Sequence, residues 1–205
     1  LSYNQWHGFN NHSDGDFSIM SELRTNRIVP RDGLPSGSAG GIIQVKHTTK
    51  TDTWSHPGPY TGYSTVTGLN VTITPTRSDS KILITASVNY STQYWQGYGA
   101  LYRQLSGGSM SVVDGAVGGA NSSQPRYSFS SLSYSGGNDA YNQYHGTLSY
   151  LDSPSTTSAV IYAIALRSYS DSYRVYCNRN HDDSRTGNDY HGRGASFITA
   201  MEVSG

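Results

Sequence analysis

Tyr94, Trp95 and Tyr98 lie close together in STQYWQGYG, residues 91–99, beside Gly97 and Gly99. Tyrosine and tryptophan combine a rigid apolar ring with a polar handle, the pairing on which sugar rings stack. A second group, Tyr134, Tyr141, Tyr144 and His145, surrounds the GGND turn at 136–139. A third, Tyr60 and Tyr63, follows Pro57-Gly58-Pro59. Rings so placed also serve to pack under a loop or at a subunit interface, and spacing alone leaves both uses open.

The densest polar stretch is NRNHDDSRTGNDYHGRG, residues 178–194. Its His181, Asp183 and His191 are chemically able to ligate zinc or, through oxygen, calcium. The spacing matches neither an EF-hand nor a zinc motif. A solvated loop whose charges compensate one another is the plainer reading, so neither a metal nor a cofactor is expected. No GxSxG, HExxH, P-loop, GxGxxG or CxxC occurs. With Glu22 and Glu202 the only glutamates, any carboxylate pair would have to draw on aspartates. A protein that is not an enzyme is the expectation.

Something must position those residues, and the composition says what. Of 205 residues, 32 are Ser, 18 Thr, 23 Gly and 17 Tyr, against only 3 Lys and 2 Glu. Helix formers are scarce while β-branched, aromatic and turn-forming residues abound, which excludes a helical bundle. The net charge of zero gives no footprint for nucleic acid or an anionic surface. The longest apolar run, Ala159 to Leu166, is too short for a membrane-spanning helix, so no membrane insertion is expected.

Residues 1–40 lack a strand or helix period and end in LPSGSAGG, a small-residue linker. They read as a short extended N-terminal stem that docks on a neighbour. From 41 to 205 the chain reads as about ten short strands separated by turns, with LNVTITP and KILITASVNY the clearest alternations. Hairpin-length turns and the absence of a crossover helix point to an all-β, antiparallel jelly-roll sandwich. Cys177 shares a strand face with Val175 in YRVYCN and is expected to be a buried thiol without a disulfide.

Four segments carry a resemblance: GGIIQVKHTTKTDTW, VTGLNVTITPTRSDSKILITASVN, LDSPSTTSAVIYAIALRS with RVYCNR, and the closing ASFITAMEV. Together with the MSELRTNRIVPRDGLPSGSAGG stem, they resemble C-terminal modules of marine phage virion proteins, notably those of cyanophages, over residues 21–204. The resemblance implies a jelly-roll head similar to complement and tumour-necrosis-factor-like heads, trimeric, with the last strand near the threefold axis. It also implies a place on the external surface of a virion, as a tail-fibre or appendage head. It assigns no binding residue. Tyrosine richness and the 178–194 loop depart from the pattern.

The expected function is therefore a non-enzymatic virion structural protein. It would be a homotrimer, joined to other virion proteins through residues 1–40, with loops meeting host cell-surface carbohydrate. The ligand candidates are Tyr94, Trp95, Tyr98, Tyr144 and His145. The alternatives are a capsid decoration or cement protein that binds no receptor, and a small β-sandwich lectin.

Overall fold

The computed structural model describes residues 41–131, 142–183 and 191–204; the stem expected over 1–40, Tyr134 and Tyr141 lie outside the described residues. Eleven strands are present among them. In chain order they are β1 (Ile42–Lys50), β2 (Trp54–Ser55), β3 (Ser64–Ile73), β4 (Lys81–Thr92), β5 (Gly97–Gln104) and β6 (Ser111–Val112), followed by β7 (Phe129–Ser130), β8 (Tyr144–Asp152), β9 (Val160–Ser168), β10 (Val175–Cys177) and β11 (Ser196–Val203). They form two packed antiparallel sheets, a β-sandwich. In the first, β1 pairs with β11 and β11 with β4, whose other edge carries β8; β10 and β2 extend the far end. In the second the order is β3-β9-β5-β6, with β7 also on β5.

Alternation places Ile82, Ile84, Ala86, Val88 and Tyr90 of β4 inward, opposite Tyr162, Ile164 and Leu166 of β9. In β3, Val66 and Leu69 are an odd number of residues apart yet both are buried. The ladder slips between Thr65 and Asn70, and Gly68 there takes φ +81°, so a bulge resets the inward face. β10 and β11 lie along one edge of β4, where Cys177 faces Tyr90 and Phe197 faces Ser87. They act as one strand interrupted by the 178–195 excursion. Its mouth is stitched by Asn178 N–H to Asn89 O (2.9 Å), Asn89 N–H to Ser196 Oγ (2.9 Å) and Ser196 Oγ to Asn178 Oδ1 (2.6 Å). Cys177 is buried and free, and burial pushes its thiol up to about 11.

Phe129 fills the gap between the sheets, its ring lying over Gly99 of β5 and Gly146 of β8. A methyl group at either glycine would overlap that ring. Gly146→Ala is therefore expected to destabilise by about 1–3 kcal/mol through overpacking, and Phe129→Leu in the same chain to recover part of it. Urea denaturation checks this, and an unchanged midpoint would contradict it.

On β1 the apolar residues face away from the core. Ile43 is 44% exposed and Val45 53%, as are Phe197 of β11 (40%) and Leu151 of β8 (48%). The register sets Val45 beside Met201, Met201 beside Leu83, and Leu83 beside Leu151, so one apolar row crosses four strands on the outer side of this sheet.

Candidate recognition site

Gly41 and the end of β11 lie at one end of the sandwich, together with the loops at 74–80, 105–110 and 153–159. Those loops, TPTRSDS, LSGGSM and SPSTTSA, contain no aromatic residue. The loops at the opposite end contain Tyr60 and Tyr63, Tyr94 and Trp95, and Tyr169 and Tyr173. Recognition residues concentrate on loops held by rigid strands, and here one end is aromatic and the other is not.

The aromatic end is tied together. Asp171 accepts hydrogen bonds from the Thr61 N–H (2.8 Å) and hydroxyl (2.9 Å), and the Ser168 N–H donates to Tyr60 O at 2.7 Å. Arg174 donates to the Tyr60 hydroxyl at 2.7 Å. His56 is buried between Gly62 O and the Gly58 N–H, each 2.9 Å from its ring nitrogens, and burial holds it below its usual range. The 93–96 turn is closed by Thr92 Oγ donating to Trp95 O at 3.0 Å. Trp95 adopts φ +58°, a left-handed conformation that a bulky residue rarely takes, and strain of this kind gathers at functional loops.

Sequence spacing singled out Tyr94, Trp95 and Tyr98 together, and in the structure each packs on a different ring. Tyr94 packs on Tyr173, with ring centroids 4.8 Å apart, and Trp95 lies 6.3 Å from Tyr169. Trp95 and Tyr169 are 39% and 54% exposed. Tyr98 is buried on the outer face of the second sheet, 5.1 Å from Tyr127. Tyr144 and His145 belong to the other sheet. Tyr144 turns inward against Tyr90 (5.9 Å), and His145 bonds Ser87 on the outer side.

Tyr98 lines a surface pocket of about 300 Å³ with Gln96, Gln124, Pro125, Tyr127 and Ser130. The wall carrying Tyr127 is fixed by Arg126, which donates to Asp114 Oδ1 and to Gly118 O, both at 2.7 Å. The Tyr63 hydroxyl donates to Arg126 O at 2.6 Å. Behind Tyr98, the Arg167 guanidinium stacks on the Tyr98 and Tyr63 rings, 5.7 and 5.6 Å from their centroids. Burial raises the Tyr63, Tyr98 and Tyr102 phenols above their usual range, so they remain neutral donors. The pocket offers amides, hydroxyls and ring faces, chemistry suited to binding.

Gln96, Gln124 and Tyr127 escaped sequence reasoning. The one legible signal was Pro125-Arg126-Tyr127, a proline and an aromatic inside a Gly/Ser/Asn-rich stretch. Two of the candidate metal ligands, Asp183 and His181, have other contacts. Asp183 pairs with Arg193 at 2.7 Å and Arg179 at 3.6 Å, and His181 packs on Tyr176 at 5.6 Å. Among the described residues, no group of three or more His, Cys, Asp or Glu, His191 included, is placed to hold a metal ion. No protein-family model matches the chain, and no curated protein matches it.

Proposed function

We propose that this chain is the non-enzymatic head of a virion fibre or appendage, a homotrimer that presents its aromatic end to carbohydrate on a host surface. The observation that carries this reading is the segregation of loop aromatics to the end of the sandwich opposite Gly41. Attachment to other virion proteins through residues 1–40 belongs to the same proposal. The virion setting itself rests on the sequence resemblance.

The jelly-roll topology belongs to the same proposal. Counting β6 and β7 as one edge and β10 with β11 as one strand, and setting the short β2 aside, the sheets read first-eighth-third-sixth and second-seventh-fourth-fifth. That order is the one expected of two nested Greek keys. Trimer formation is supported by the apolar row on the outer side of the first sheet. A bare row of Val45, Met201, Leu83 and Leu151 is what an interface between copies would cover, and closed cyclic symmetry is the usual way to cover it.

Trp95→Asn tests the attachment reading. Asparagine tolerates the left-handed backbone at this position, so the loop should persist without its exposed ring. Adsorption of the purified protein to susceptible cells is expected to fall about tenfold, the effect of losing one good stacking contact. Unchanged adsorption by a folded variant would favour a decoration protein.

A further inference from the structure

We propose that the pocket formed by Gln96, Tyr98, Gln124, Pro125, Tyr127 and Ser130 binds one neutral pyranose ring of a glycan. This rests on the attachment reading and narrows it to a place and a ligand class. Tyr127, 41% exposed and held against Tyr98, is the stacking platform. Its ring suits the apolar face of a sugar.

The polar groups are already oriented. The Tyr98 hydroxyl donates to Gln96 Oε1 at 2.5 Å, which leaves the Gln96 NH2 as the group available to a ligand. Asn121 Nδ2 donates to Gln124 Oε1 at 3.3 Å and does the same for Gln124. Two side-chain amides and the Ser130 hydroxyl therefore line the same pocket as the Tyr127 ring.

The class follows from charge. The six lining residues include no Asp, Glu, Lys, Arg or His, so a sugar carboxylate would lose water and find no cation in the pocket. Arg167, the nearby guanidinium, is stacked behind Tyr98 and does not line the pocket. A volume of about 300 Å³ lies at the small end of ligand sites and accommodates one ring. Because Arg126 and Tyr63 pin the Tyr127 wall, little ordering is needed on binding. The pocket lies on the outer side of the second sheet, and the apolar row on the outer side of the first.

The test is a titration of isotope-labelled protein with the methyl glycosides of glucose, galactose and mannose, and separately with glucuronic acid, followed by amide chemical shifts. At least one neutral glycoside is expected to shift the backbone and side-chain amides of Gln96 and Gln124 and the amide of Tyr127. Tyr127→Ala should weaken that binding about tenfold while the rest of the spectrum stays in place. Shifts centred on Trp95 and Tyr169 would overturn the pocket and leave the attachment reading standing. No response to any sugar would also overturn the pocket, and adsorption of the Trp95→Asn protein would then decide the attachment reading on its own. Tighter binding of glucuronic acid would overturn the neutral class.

Discussion

Arg103→Met is expected to destabilise the sandwich by roughly 3–5 kcal/mol, the cost of leaving a buried charge without its partner. Asp152 ends β8 facing inward with a side chain only 6% exposed. Arg103 of β5, in the opposite sheet, donates from Nη1 to both carboxylate oxygens, at 2.8 and 2.6 Å. The Tyr162 hydroxyl of β9 adds a third hydrogen bond at 2.7 Å. Burial, reinforced by Asp152, lifts the Tyr162 phenol far above its usual range, so it stays a donor. The cluster joins both sheets at the end where the chain enters. Removing the guanidinium leaves one phenol to solvate the carboxylate. Arg103→Met with Asp152→Leu should recover part of the loss, incompletely because the Tyr162 hydroxyl then loses its acceptor. Guanidinium denaturation of both variants measures this, and a single variant within about 1 kcal/mol of the parent would contradict it.

Glu202 should impose a pH dependence on stability. It lies buried on β11, where Oε2 accepts from Gln44 Nε2 at 2.6 Å and Oε1 from the Thr76 N–H and hydroxyl, both at 2.7 Å. Burial alone would raise its pKa, but these hydrogen bonds to the charged form outweigh it and lower the group from 4.5 to about 2. A carboxyl depressed on folding contributes its full stabilisation above the unfolded value and loses it as pH falls toward the folded one. The contribution is roughly 3 kcal/mol at neutral pH, and it should fade between about pH 4.5 and 2. Glu202→Gln should lose about that amount at neutral pH, because an amide NH2 would confront the Thr76 or Gln44 donors. The variant's stability should then fall less steeply over the acid range. Equal acid slopes for the two proteins would contradict the assignment.

Strands with clean alternation were legible from sequence, because a half-buried strand writes its burial into a period of two. KILITASVNY became most of β4, and LNVTITP the end of β3, on that signal. SMSVVDGAV and RYSFSSLSY also read as short strands between turns. The described parts of these contain only β6 and β7, two residues each, with a 3-10 turn at Asp114–Ala116. There the chain is held by Arg126 and Ser128 side chains reaching backbone carbonyls, and such bonds leave no period to read. On β1 the alternation was visible but its direction was not, since Ile43 and Val45 face outward and periodicity does not say which face is wet. The binding candidates were legible as residue types. Their grouping was not, because Tyr98 and Tyr127 meet across paired strands and a pinned loop, far apart in the chain.

In the proposed trimer, copies of this chain cover the apolar row of Val45, Met201, Leu83 and Leu151 and present their aromatic ends together. Light scattering of the purified chain at micromolar concentration tests that most directly. The predicted mass is three times the 22.3 kDa of one chain. A mass of one chain would contradict it, because the row would then stand bare in water with no copy to cover it.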